Sequence, residues 1–274
     1  MAMKKIIIPF DGGNFSKGAF SFVCNVNKKN PILLTGIFLP AVNYASLFFF
    51  PSAFAAPAYI PSKEGFDEDI SENNIEEFIR LCNENNIKYK VHEDLYESAL
   101  PQLTKETRFA DLMIIGSEIF YTNNENGPFE YLMHALHNTE CPVMIVPEKL
   151  NFPSQIILAY DGSESSVYAI KQFVNLFPEL CSLKTMLVYA GDETHNIPDQ
   201  RLIEELAASH FENLTLNKIS GKDKNNFNEW LVEQSNPLLV SGSFSRSDIS
   251  QLFNRSFIIK TIKDHKAPVF IAHR

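Results

Sequence analysis

KKIIIPFDGGNFSKGAF, Lys4 to Phe20, decides the fold, because the chain carries it twice. The second copy is SQIILAYDGSESSVYAI, Ser154 to Ile170, which sets Asp161 at an offset of 150 residues from Asp11. Each copy is a β-branched apolar run, then an aromatic, an Asp and a Gly, then a helix-forming stretch. A continuous apolar run without alternation suits a strand buried on both faces, as in a parallel sheet. The Asp and Gly fall where that strand's carboxyl end turns into a helix, and in open α/β sheets ligands bind there. The chain thus reads as a duplication, each half headed by a candidate site.

The downstream order supports this. After Asp11, the segment Phe15 to Asn30 carries Phe15, Ala19, Phe22, Val23 and Val26 at helical spacing, and Asn30-Pro31 ends it. ILLTGIF (Ile32 to Phe38) is a second strand, matched in the other half by LKTMLVYA (Leu183 to Ala190). Phe38 and Val188 both lie 27 residues after their Asp. Register then breaks: Asp11 to Gly116 spans 105 residues, Asp161 to Gly242 only 81. The surplus falls in the apolar, Phe-rich stretch 39–65 of the first half. Pro40, Pro51, Pro57 and Pro61 leave it no run of about 20 residues able to cross a bilayer as one helix. It is either a loop packed on its own domain or an aromatic lid or contact surface.

Further helices over Asp67 to Asn86, Ala99 to Thr107 and Phe129 to Asn138 alternate with strands at Ile87 to Leu95, Ala110 to Ser117 and the CPVMIVPE segment from Cys141. The second half repeats the order, with helices Ser165 to Phe177, Pro198 to His210, Phe227 to Gln234 and Ile249 to Lys263. Each half reads β-α-β-α-β-α-β-α-β, which predicts five parallel strands with helices on both faces. Domains of 1–149 (with the insert) and 153–274 follow. The short linker from Pro147 to Pro153 predicts a packed pseudo-twofold pair.

A length of 274 residues suffices for two such cores, and 45% apolar with 21% charged residues is globular composition. A net charge of −9 argues against nucleic-acid partners, which need a basic surface. Cys24, Cys82, Cys141 and Cys181 include no CxxC pair, and buried free thiols are the plain reading for the first three. MAMKKIIIPF has no signal-peptide layout, so a cytoplasmic home and no membrane are expected. His134, His137 and Cys141 lack a partner completing a metal site. GSEIF and GSFS lack a hydrolase elbow, there is no Walker phosphate loop, and Trp230 reads as a packed anchor. No acid–base pair stands out, so catalysis is not expected.

The opening strand with Asp-Gly, the segment ADLMIIGS (Ala110 to Ser117), and the closing CPVMIVP and APVFIAH occur in family order, twice. Over nearly its whole length the chain resembles the universal stress protein family in its tandem, two-domain form. The resemblance implies two tandem doubly wound five-stranded domains of the adenine nucleotide α hydrolase-like kind. It also implies no catalysis, ATP or AMP as ligand, and self-association through last strands, Val143 to Val146 beside Val269 to Ala272, so a dimer-like pair.

In the nucleotide-binding branch of that family the fourth strand ends in G-x2-G-x9-G followed by Ser or Thr. Glycines let backbone N–H groups approach phosphates, and the following helix N-terminus favours negative charge. In this chain the glycine positions fall at Gly116, Ile119 and Phe129 in the first half, with Glu130 at the hydroxyl position. In the second they fall at Gly242, Ser245 and Arg255, with Ser256 retained. Glu118, Glu125 and Glu130 would repel phosphates, whereas Ser241, Ser243, Ser245, Ser247, Arg246 and Arg255 supply donors. The resemblance therefore puts the nucleotide on Asp161, Val188, Ser241, Gly242, Ser245, Ser256 and Phe257, with Asp11 and Gly116 as the weaker set. Three function classes stay open: a nucleotide-binding stress module, a tandem stress protein acting through protein contacts, and an enzyme on the same scaffold.

Overall fold

The computed structural model describes residues 3–11, 14–39, 68–93, 99–118, 136, 138–191, 196–220, 227–242, 258 and 260–272. The chain divides into two compact units, Met1–Cys141 and Pro142–Arg274.

In the first unit the elements are β1 (Lys4–Asp11), α1 (Lys17–Lys29), β2 (Ile32–Leu39), α2 (Glu68–Glu84), β3 (Lys88–Glu93), α3 (Ala99–Thr107) and β4 (Leu112–Gly116). The strands run in the order β3-β2-β1-β4, all parallel. β1 sits centrally because Ile6, Ile7 and Ile8 bury both faces. The β1–β4 ladder covers Ile6 and Ile7, so Pro9, which lacks an N–H, lies beyond it. β3, at the end of the order, has exposed residues at Lys88, Lys90 and Glu93, the pattern of an edge strand. Ser16 caps α1 by accepting from the Ala19 N–H at 3.2 Å, and Asn30, ahead of Pro31, ends it.

In the second unit follow β5 (Val143–Val146), β6 (Gln155–Tyr160), α4 (Glu164–Leu176), a short 3-10 turn (Pro178–Leu180) and β7 (Lys184–Gly191). Then come α5 (Gln200–Ala208), β8 (Asn213–Ser220), α6 (Phe227–Val232), β9 (Pro237–Gly242) and β10 (Val269–Ala272). The order is β5-β10-β9-β6-β7-β8. Its β8-β7-β6-β9 portion repeats β3-β2-β1-β4 with the same parallel sense. The duplication read from Lys4–Phe20 and Ser154–Ile170 is thus a duplication of sheet topology, and the mostly parallel α/β architecture expected from sequence is the one found. One pairing is antiparallel: β10 lies against β5, with Val269 opposite Ile145 and Ile271 opposite Val143. The two segments named as last strands are therefore side by side, and β5 counts with the second unit.

The core follows from the apolar runs. Phe173, Phe177 and Phe270 pack ring to ring at 5.4–6.1 Å beneath α4. The insert from Pro40 to Gly65, the loop 119–128 and the serine-rich 243–250 lie outside the described residues. Of the two helices expected before the last strands, residues 136, 138, 258 and 260–263 are described, and they are helical.

Candidate functional site

In each unit the chain leaves a central strand, first to one side and then to the other, so the crevice opens at the carboxyl ends of β1 and β4, and of β6 and β9. In the second unit Asp161 directly follows β6. One carboxylate oxygen accepts from the Ser163 N–H at 2.9 Å, an Asx turn that bends the chain into α4. Ser163 then caps α4: its hydroxyl accepts from the Ser166 N–H at 3.1 Å, while the Ser166 hydroxyl donates to the Ser163 carbonyl at 2.8 Å. Gly162 takes φ +84°, and a side chain there would strike Pro198, whose Cβ would lie 2.7 Å away. The Tyr160 hydroxyl donates to the Pro198 carbonyl at 2.9 Å. Residues 196–199 are therefore held beside Asp161. Burial raises the Tyr160 phenol above its ordinary range, and Asp199, Asp161 and Tyr189 add to the shift.

Register brings the other sequence candidates to the same end. Val188 on β7 pairs with Ala159 of β6 and is buried. Ser241 and Gly242 end β9, opposite Ile271 and Ala272 of β10. Asp161 follows β6, Gly242 ends β9, and Val188 lies on β7 beside Ala159, so the three belong to adjacent strands. The last two β9 residues also make close local contacts. A Cβ on Gly242 would lie 2.6 Å from the Ser165 carbonyl carbon and 2.7 Å from the Ser166 nitrogen, so this glycine lets β9 meet the backbone of α4. Ser241 is buried, and its hydroxyl donates to the Gly242 carbonyl at 3.1 Å. Ser245, Ser256 and Phe257 lie outside the described residues.

The first unit fills the equivalent corner differently. Asp11 ends β1 opposite Leu39, and Gly116 ends β4. Phe10 is stacked between Phe15 at 4.8 Å and Phe38 at 4.9 Å, and Phe78 of α2 meets Phe10 and Phe38 edge-on at 5.7 and 5.9 Å. Phe15 and Phe38 stand where the second unit has Ser165 and Val188. Gly36 makes room, since a Cβ there would lie 3.0 Å from the rings of Phe38 and Phe78. The positions that Ser165 and Val188 hold in the second unit are thus held by stacked rings in the first.

Sequence reasoning did not find Tyr160, Pro198 or the ring stack. The run Phe10, Phe15, Phe38 was visible, but Phe78, which joins it, sits 40 residues beyond Phe38. Among the described residues no group of three His, Cys, Asp or Glu side chains could hold a metal ion. No described helix is long and apolar enough to cross a membrane.

No protein-family model matches the chain, and no curated protein matches it in sequence. Solved structures do match it in shape. A universal stress protein from Archaeoglobus fulgidus DSM 4304 superimposes with a TM-score of 0.67 at 15% identity, over 99% of this chain and 96% of that one. The chain has the tandem universal stress protein fold. A protein from Pseudomonas aeruginosa UCBPP-PA14, provisionally named as a universal stress protein, aligns with this fold at a TM-score of 0.57 and 11% identity, over 99% and 94% of the two chains. A protein of unknown function from Pseudomonas aeruginosa PAO1 does so at 0.57 and 10%, over 99% and 93%. Within the tandem universal stress protein fold, the two strand-end corners just described occupy matching places in the repeat and carry different chemistry.

Proposed function

We propose that this chain is a non-catalytic stress-response module that binds ATP or AMP in its second half, with 1–149 and 153–274 as its two functional repeats. The observation that carries this reading is the corner at Asp161: a carboxylate set in an Asx turn, with Ser165 in the first turn of α4 and Val188 on the adjacent strand β7. Such a carboxylate can accept from a ribose hydroxyl, and the apolar Val188 wall suits a base. Phosphates would extend toward the serines and arginines of 243–256, with Ser245, Ser256 and Phe257 on the ligand and Arg246 and Arg255 as charged donors. Gly242 would serve this site in part by packing β9 onto α4. The four free cysteines suit a reducing, cytoplasmic setting.

A second observation favours protein contacts as the work of the first half. The Phe15–Phe10–Phe38 stack occupies the corner that Asp11 and Gly116 would otherwise frame. The apolar stretch 39–65 supplies the contact chemistry.

The test is calorimetric titration with ATP and AMP, together with analysis of nucleotide released from the purified protein on denaturation. Ser256→Glu should weaken binding, whereas Glu130→Ser should not abolish it. Equal loss in both variants would refute the asymmetry. No binding to the unaltered protein, with no released nucleotide, would transfer the function to protein contacts alone.

A further inference from the structure

We propose that Cys24 and Cys82 form an oxidisable dithiol, a modification site at which hydrogen peroxide closes a disulfide between α1 and α2. Two contacts fix how these helices lie together. Phe20 of α1 meets the ring of Phe78 of α2 at 6.2 Å, and Asn27 of α1 donates to the carbonyls of Asn85 and Asn86 just past α2, each at 3.5 Å. Phe20 to Phe78 and Asn27 to Asn85 are the same sequence offset, 58 residues. A constant offset at two levels means the helices run parallel and in step, since antiparallel helices would hold the sum constant instead. Cys24 and Cys82 share that offset of 58, four residues after the ring contact and three before the amide contact. Positions at i, i+4 and i+7 lie on one helical face. The two cysteines therefore fall at the same level of the seam, between two contacts that are both made.

Their electrostatics agree with this placement. Burial pushes the Cys82 thiol up to about 12, and the next cause is Cys24 itself. Burial also raises Cys24, while Lys28 one turn on opposes the rise. Cys24 is only part-buried and Cys82 is wholly buried, so the roles divide. The Cys24 thiolate attacks the peroxide oxygen, the O–O bond breaks, and a sulfenic acid and water form. The Cys82 thiol gives up its proton and its sulfur attacks the sulfenic sulfur, expelling a second water. Two thiols lose two electrons, the peroxide gains them, and the sum is one disulfide and two waters. The seam lies next to Phe78, so the bond would tie the helix carrying that ring to α1.

The experiment treats the folded, full-length protein with excess hydrogen peroxide, blocks remaining thiols by alkylation and digests with trypsin without reductant. The expected product is peptide 18–28 joined to peptide 81–88, released by dithiothreitol. Cys24→Ser should leave Cys82 fully alkylatable, and circular dichroism confirms that the variant is folded. Absence of that joined pair from the folded protein overturns the proposal, whether the thiols stay reduced, pair with Cys141 or Cys181, or stop at sulfinic acid. So does a joined pair that forms no faster in the folded protein than in the chain unfolded in urea, because the helical seam would then contribute nothing.

Discussion

Replacing Gly242 by Ala adds a single methyl group, and its cost follows from where that group would go. Three atoms of the α4 backbone would lie 2.6, 2.7 and 2.8 Å from the new Cβ. Carbon contacts are comfortable at about 3.5–4.0 Å, so β9 and the first turn of α4 must separate by roughly 1 Å. Backbone cannot rotate out of the way as a side-chain tip can. Overpacking of this kind costs about 1–3 kcal/mol. The same displacement pulls Ser166 from its Ser163 cap, 3.1 Å apart in the intact protein, for about another 1 kcal/mol. We expect a loss of roughly 2–4 kcal/mol from the second unit. The assay is built in: Trp230 is the only tryptophan of the chain, sits on α6 and packs 5.4 Å from Phe227, so its fluorescence follows the unit that contains Gly242. With a urea dependence of about 2 kcal/mol per molar, the midpoint should fall by about 1–2 M. An unchanged midpoint would refute the argument that this glycine exists for helix–strand contact.

Truncating Phe78 to Ala removes the ring that joins Phe10, Phe20, Phe38 and Tyr89, and should destabilise the first unit by about 3–5 kcal/mol, seen as lost amide protection in β1 and β2. Stability should also decline in alkali. Cys82 and Cys141 are pushed up from the ordinary thiol value of 9.0 to about 12, chiefly by burial. Above pH 9 the unfolded chain loses these protons while the folded chain keeps them, so the contribution is whole below about 9 and drains away as pH rises toward about 12. Urea midpoints across that interval should fall less steeply in Cys82→Ala, and parallel slopes would contradict the assignment. The two nucleotide and disulfide experiments above complete the set.

The fold was legible because buried parallel strands write themselves as unbroken apolar runs, and IIIPFD and IILAYD did so twice in register. The site was legible only in part. Asp161, Val188 and Gly242 converge because an Asp after a strand and a Gly at a strand end are positions that topology brings together. What each atom does there was not legible. The reason for Gly242 is a helix turn some 76 residues earlier, and the inward hydroxyl of Ser241 depends on its rotamer. The Tyr160–Pro198 bond and the Phe78 keystone join residues far apart in sequence, where no spacing rule applies.

The antiparallel contact of β5 with β10 has a consequence for how the protein responds to dilution. Val269–Ala272 is buried, apolar and flanked by β9 on one side, so without β5 its other side would present a row of unpaired backbone groups to any passing strand. A fragment beginning at Ser154 would have to close that row by meeting a second chain, and would do so less completely as it was diluted. In the intact chain the covering strand is tethered a few residues upstream, at an effective concentration on the order of millimolar whatever the concentration in the cell. Closure of the second repeat is thereby made independent of abundance, so the protein keeps the same edge sealed when it is scarce as when it is plentiful.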